Sequence, residues 1–103
     1  MRPITKQITG VGSSSPITFD TFRIPFNVGY GCSVLGTATY TVQHTFDDYN
    51  AIDFVWADAR WFDNTLLTGV STAEDGNYAF PITAMRITIT SGSGTVSVTA
   101  IQA

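Results

Sequence analysis

The chain carries one cysteine and one histidine, the two side chains best suited to nucleophilic chemistry at neutral pH. A Cys–His pair requires the thiol and the imidazole to lie within hydrogen-bond reach. Cys32 and His44 lie twelve residues apart in one predicted strand, which separates them by about 40 Å at ~3.3 Å per residue. We therefore expect no catalytic pair: Cys32 is predicted to be a small buried apolar residue, and His44 to cap a sheet face or bond to backbone.

Five aspartates cluster in the middle of the sequence: Asp47, Asp48, Asp53, Asp58 and Asp63. Loop carboxylates are calcium ligands, but their spacing lacks the glycine and the terminal glutamate of an EF-hand loop. A glycosidase pair made of Asp47 and Asp48 is disfavoured because neighbours on a strand point to opposite faces, whereas the two acids must flank one bond. The sequence predicts loop-capping acids, with no metal, no cofactor and no enzymatic activity.

Aromatic residues surround this acidic stretch: Tyr49, Trp56, Trp61, Phe62, Tyr78 and Phe80. An exposed platform of Trp and Tyr is typical of sugar binding. However, a chain with three leucines must fill its core with other large side chains, and aromatic side chains bury the most area. The composition therefore favours a role for them in the core or in a subunit interface over a ligand platform.

The elements that position these residues are predicted to be strands. Of 103 residues, 13% are charged, against about 25% in ordinary soluble domains. The chain is instead rich in small and polar residues, with 16 Thr, 8 Ser and 9 Gly. Helix formers are scarce and strand formers abundant. Residues 32–45 alternate most clearly, with Val34, Ala38, Tyr40, Val42 and His44 on one parity and with Gly36 predicting a bulge or bend. Residues 52–62 are predicted to form a further strand running into an irregular aromatic stretch, and Asp75-Gly76-Asn77 to form a turn.

The last two strands are predicted to form a hairpin. Residues 82–90 and 95–102 flank a Ser-Gly-Ser-Gly loop at 91–94. Pairing Thr90 with Thr95 places six apolar residues on one face, and a one-residue slip destroys this match. The facing pairs are Ile89 with Val96, Ile87 with Val98, and Met85 with Ala100.

The expected fold class is all-β: a small antiparallel β-sandwich or jelly-roll-like barrel with an extended N-terminal arm. The arm spans residues 1–15, and residues 16–103 form the sandwich domain. Within the arm, the alternation of residues 4–9 predicts a short strand or an extended segment, and a polar, turn-rich segment begins at residue 10.

The net charge and the spread of the cations argue against nucleic acid and anionic lipid as partners. The net charge is −3, and five cations spread over the whole chain make no basic stripe for nucleic acid or anionic lipid. The N-terminal sequence has no apolar segment typical of a signal peptide, and no run approaches the ~20 apolar residues of a membrane helix. Cys32 has no partner for an intrachain disulfide, which favours folding in a reducing cytoplasm or stabilisation by partners.

Several segments, in this order, carry a family resemblance. They are Gly-x-Gly-x-x-x-Pro-Ile (10–17), Pro-Phe-Asn-Val-Gly (25–29), Gly-Thr-Ala-Thr-Tyr-Thr-Val-Gln-His-Thr-Phe-Asp-Asp (36–48), Tyr-Ala-Phe-Pro-Ile-Thr-Ala-Met-Arg (78–86), and Ser-Gly-Ser-Gly-Thr with the closing Ile-Gln-Ala. Over essentially its full length the chain resembles the short structural proteins of tailed bacteriophages described as capsid decoration, or cement, proteins. The resemblance implies no catalytic residues.

The resemblance implies a virion protein that is made in the host cytoplasm and binds the outer capsid surface. Its expected partners are the major capsid protein and further copies of itself, a homotrimer before a dimer, with many weak contacts summed by avidity. The N-terminal arm is expected to add a strand to a neighbouring subunit. The alternative is a tail- or fibre-associated virion module that binds host glycan through Trp56 and Trp61. The candidate interface residues are Arg2, Ile4, Lys6, Ile8, Arg23, Trp56, Arg60 and Trp61; Arg86 is a further candidate for charge contacts.

Overall fold

A computed structural model describes residues 2–103 of the chain. The described residues form nine β-strands and one short 3₁₀ helix, η1, with no α-helix. The elements are β1 (Ile4–Thr9), β2 (Gly12–Ser13), β3 (Ile17–Thr18), β4 (Val28–Leu35), β5 (Ala38–Thr45), η1 (Trp56–Asp58), β6 (Phe62–Asp63), β7 (Glu74–Tyr78), β8 (Ala84–Gly92) and β9 (Thr95–Gln102).

The strands form two antiparallel sheets that pack face to face as a sandwich. The first sheet has the order β1-β9-β4-β7, and the second has the order β2-β8-β5-β6, with β3 also paired with β8. Apolar side chains of both inner faces fill the space between the sheets, and most are less than 2% exposed. The expectation of an all-β sandwich is thus confirmed.

Three long strands run through both sheets and bend at the same end of the molecule. β1 leads into β2, β4 into β5, and β8 into β9, and the order β1-β9-β4 in one sheet matches β2-β8-β5 in the other. Four glycines occupy the bends: Gly10, Gly36, Gly92 and Gly94, which we call the glycine corner. The bends are hydrogen-bonded to one another, since the Gly10 N–H donates to the Gly94 carbonyl (3.1 Å) and the Gly94 N–H to the Thr37 carbonyl (2.8 Å).

This bend corrects the predicted hairpin. β8 and β9 do not pair with each other: β8 pairs with β5 and β9 pairs with β4, in registers such as Ile87 opposite Val42 and Val98 opposite Cys32. The six apolar residues assigned to one face are all fully buried, as predicted. They face one another across the core because the Ser-Gly-Ser-Gly segment carries the chain from one sheet to the other.

The predicted N-terminal arm is also wrong. β1 pairs antiparallel with β9 of its own chain over six residues, from Ile4 opposite Ala100 to Thr9 opposite Thr95. Ile4 and Ile8 pack against the core, and the hydroxyls of Thr5 and Thr99 are hydrogen-bonded (2.8 Å). The edge of β9 and the burial of these isoleucines hold the segment within the sandwich.

Two further segments depart from the predicted elements. Residues 52–61 form a loop that contains η1 instead of a strand. Asp75-Gly76-Asn77 lies inside β7, paired with β4, instead of forming a turn. Gly76 is needed there because an added Cβ would lie 2.7 Å from the Tyr30 hydroxyl.

Candidate functional site

The ends of both sheets meet opposite the glycine corner, and three connections cover them. We call this region, residues 19–27, 46–61 and 79–83, the loop end. Gln102 ties the first connection to the last strand: its Oε1 accepts from the Asp20 N–H (2.9 Å) and its Nε2 donates to the Asp20 carbonyl (2.6 Å). The Gln102 side chain therefore holds the first connection to the end of the first sheet through the backbone of Asp20.

Three phenylalanines gather at the surface beside this end. Phe46, Phe62 and Phe80 come from three separate segments, and each is about half exposed, at 52%, 49% and 48%. The ring centroids of Phe46 and Phe62 lie 5.7 Å apart, and those of Phe46 and Phe80 lie 6.2 Å apart. We call these three residues the phenylalanine patch. A contiguous exposed aromatic surface on a small domain is typical of a protein interface.

His44 forms the floor of the phenylalanine patch. Its ring lies 5.4 Å from Phe46, 6.1 Å from Phe62 and 5.7 Å from Phe80, centroid to centroid. Its Nδ1 is hydrogen-bonded to the Tyr78 hydroxyl (3.0 Å). Asn64 donates its Nδ2–H to the Tyr78 oxygen (3.3 Å), which leaves the Tyr78 proton available to the His44 tautomer with an unprotonated Nδ1.

Burial sets the ionisation of these groups. Desolvation among the aromatic rings lowers the pKa of His44, and the carboxylate of Asp63 opposes this shift in part. Desolvation also raises the pKa of the Tyr78 hydroxyl to about 12. The patch therefore rests on a neutral hydrogen-bonded pair at neutral pH.

The lowered pKa of His44 predicts a loss of stability in mild acid. The unfolded chain binds a proton near pH 6.5 whereas the folded chain resists it, so the free energy of unfolding falls as the pH falls below ~6.5, by at most about 1.4 kcal/mol per pH unit from this group. Urea unfolding at pH 7.5, 6.5 and 5.5 measures this slope. His44→Gln is expected to flatten it, and parallel curves for the two proteins would contradict the assignment.

A cleft of about 760 Å³ opens beside the patch, between residues 18–22 and 46–50. Aromatic side chains line it, among them Phe22, which is 92% exposed, and Phe46, which belongs to the phenylalanine patch. Asp20 and Asp48 also line it. We call it the loop-end cleft, and it continues the apolar surface of the patch toward Phe22.

A second aromatic group covers the outer face of the second sheet. Tyr49, Trp56 and Trp61 stack in series, with centroid distances of 5.9 and 6.1 Å. The Arg86 guanidinium lies 4.2 Å from the Trp61 ring centroid, and desolvation lowers its pKa. Because Trp61 contacts both Trp56 of the loop and Arg86 of β8, this stack fastens the loop to the sheet.

The structure keeps apart the residues singled out for chemistry. Cys32 lies in the first sheet and His44 in the second, and burial raises the pKa of the Cys32 thiol to about 11. Asp47 Oδ2 accepts the Arg60 N–H (2.7 Å) and Asp48 Oδ1 accepts the Asn50 N–H (3.0 Å), as expected of capping acids. Within residues 2–103 no group of three or more His, Cys, Asp or Glu side chains is placed to hold a metal ion.

The eight residues predicted to form an interface lie in separate places. Arg2, Ile4, Lys6 and Ile8 belong to or precede β1 at the sheet edge. Trp56, Arg60 and Trp61 lie in the loop over the second sheet, and Arg23 donates Nη1–H to the Ala103 carbonyl (3.1 Å). Their role in binding stays a prediction.

Phe62 and Phe80 were among the aromatic residues predicted for the core or an interface, but Phe46 was not, and the three were not predicted to meet. Phe46 and Phe80 each stand two residues beyond a buried aromatic ring, His44 and Tyr78, on the same strand parity. The available signal for the patch was this continued alternation: a large apolar residue follows the last inward-facing position just beyond the end of each strand.

No helix in the part of the chain that the structure describes is long and apolar enough to cross a membrane. Comparison of the chain with models of protein families, with curated proteins and with solved structures found no match.

Proposed function

We propose that the protein is a bacteriophage capsid decoration protein that binds the outer capsid surface and stabilises the head by bridging neighbouring capsid subunits. The phenylalanine patch carries the proposal, because half-exposed aromatic rings fixed on a rigid floor are the anchors that protein interfaces use. The sequence resemblance to cement proteins supplies the identity of the partner. Docking through the loop end would bury the patch, Phe22 and the neighbouring loops together.

Further exposed apolar side chains at the loop end support docking of this end on the capsid. Residues 19–27 and 46–61 carry further exposed apolar side chains, including Ile24 at 95% and Ile52 at 99%. Burying such side chains is favourable by about 25 cal/mol per Å² of apolar surface. Each copy would contribute a modest contact, and many copies on one shell would add up by avidity.

Cryo-electron microscopy of expanded capsids, imaged with and without added protein, tests the proposal. We expect additional density of this size on the shell, over contacts between capsid subunits, with the loop end facing the shell. A shell that stays bare at saturating protein would overturn it. Light scattering of the free protein tests self-association, for which we propose a homotrimer before a dimer.

Binding of host glycan by a tail-located module remains the alternative, and it depends on free tryptophan faces. Trp56 and Trp61 stack on each other, so the geometry gives it less support. Titration of host polysaccharide while monitoring tryptophan fluorescence distinguishes the two: a saturable change favours glycan binding.

A further inference from the structure

The net charge of the molecule is concentrated at its loop end. Residues 19–27 and 46–61 hold five aspartates and two arginines, a net of −3, whereas the remaining three acids and three cations balance. The carboxylates of Asp20 and Asp48 line the loop-end cleft itself. Arg23 Nη1 donates to the Ala103 carbonyl (3.1 Å).

The walls of the cleft combine this charge with aromatic rings. Phe22 and Phe46 present exposed surface to the cleft, and Tyr49 joins them while its hydroxyl donates to the Phe19 carbonyl (3.2 Å). A ligand side chain that fits both the aromatic walls and the carboxylates needs an apolar or planar part and a cationic group. Arginine meets this need better than lysine, since its planar guanidinium stacks on aromatic rings and binds carboxylates with directed N–H groups.

We propose that the loop-end cleft binds an arginine side chain presented by the capsid surface, with the side chain against Phe22 and Phe46 and its guanidinium at Asp20 and Asp48. The inference rests on the proposed function, since it names the chemistry that the partner must offer to the same end of the molecule. Charge complementarity then orients the protein on the shell and speeds docking, while the phenylalanine patch supplies the apolar contact.

The aspartates can be changed without altering the loops. Asp20 Oδ1 accepts the Phe22 N–H (3.0 Å) and Asp48 Oδ1 accepts the Asn50 N–H (3.0 Å). Asparagine keeps that acceptor oxygen, so Asp20→Asn and Asp48→Asn remove charge alone. Asp75→Asn, on β7 in the first sheet, is the matched control.

Titration of the ¹⁵N-labelled protein with N-acetyl-arginine methylamide, followed by amide chemical shifts, tests the site without any capsid. We expect saturable shifts confined to residues 18–22 and 46–50, and binding at least about tenfold weaker for the uncharged citrulline analogue. Each aspartate substitution at the cleft should weaken binding about two- to fivefold, whereas Asp75→Asn should not.

Three outcomes would overturn the assignment. Equal shifts with citrulline would show that charge plays no part, and tighter binding of the lysine analogue would replace arginine. The same shifts produced by calcium chloride at lower concentration would make the cleft a metal site.

Capsid binding separates this inference from the proposed function. The Asp20→Asn/Asp48→Asn double variant is expected to bind capsids about tenfold more weakly than the wild-type protein, with less dependence on salt. Wild-type binding that the double variant fully retains would sink the arginine site and leave the proposed function intact. Failure of the wild-type protein to bind would remove the proposed function whatever the arginine titration shows.

Discussion

Replacing Gly92 by alanine is expected to destabilise the protein by at least about 3 kcal/mol, a large share of the roughly 5–15 kcal/mol typical of a domain. An added Cβ would lie 2.4 Å from the Thr37 carbonyl oxygen and 2.8 Å from the Ala38 Cα. Both atoms belong to backbone, and Ala38 is paired with Gly92 in the ladder between β5 and β8. The φ of Gly92 is 98°, where a side chain adds further strain.

Thermal unfolding followed by circular dichroism measures this effect, and a fall in Tm of more than about 12 °C is expected for a domain of this size. Gly31→Ala is the matched control, because Gly31 has no positive φ and an added Cβ there meets nothing within 4 Å. Its stability should stay within about 1 kcal/mol of the wild type. Gly10→Ala separates strain from clash, since Gly10 has a φ of 76° but open space around its Cβ position. If the Gly92→Ala protein had the same Tm as the Gly31→Ala control, the steric role of the glycine corner would be refuted.

The same corner explains which parts of the fold the sequence could predict. The alternation of apolar residues identified the buried faces of β8 and β9 correctly, because a strand with one buried face shows a period of two whatever packs against that face. It could not identify the partner: Ile87 and Val98 are buried equally whether their strands pair in one sheet or face each other across the core. The Ser-Gly-Ser-Gly segment suits both, since glycine permits a tight hairpin as well as a passage between sheets.

Position along the chain offered a better criterion than the turn residues themselves. Gly36 interrupts residues 32–45 where β4 crosses into β5, and Gly10 stands at the matching point between β1 and β2. Three glycine interruptions at equivalent places in three long alternating segments indicate a sheet folded over on itself. The arm prediction failed for the same reason, because β1 could not be assigned to an edge before β9 was placed beside it.

The candidate site was predictable to a smaller extent. Residue type alone favoured Trp56, Trp61 and the arginines, since tryptophan and arginine are common at interfaces. The tryptophans instead stack over the second sheet, where Arg86 covers Trp61. The phenylalanine patch is assembled from segments up to 34 residues apart, and its exposure depends on tertiary packing that local patterning does not encode.

Removing one ring of the phenylalanine patch is expected to weaken capsid binding strongly while leaving the sandwich folded. Phe46→Ser deletes the ring that joins the patch to the loop-end cleft, and a central aromatic anchor contributes about 2–4 kcal/mol, or about 30- to 1,000-fold in affinity. Phe22→Ser removes a ring of the neighbouring loop-end cleft, and it should leave stability unchanged because a side chain that is 92% exposed contributes little to stability. Co-sedimentation of each purified variant with expanded capsids, over a range of concentrations, gives the affinities.

Leu35→Ser is the matched control, since Leu35 is 77% exposed and lies at the opposite end of the sandwich beside Gly36. It removes a comparable apolar side chain from the surface, so it should bind capsids as the wild-type protein does. If Leu35→Ser weakens binding as much as Phe46→Ser does, exposure of apolar surface in general would account for the attraction. If only Leu35→Ser weakens it, the glycine corner would be the end that faces the shell. A selective loss in Phe46→Ser and Phe22→Ser, with unchanged Tm for Phe22→Ser, would assign docking to the loop end.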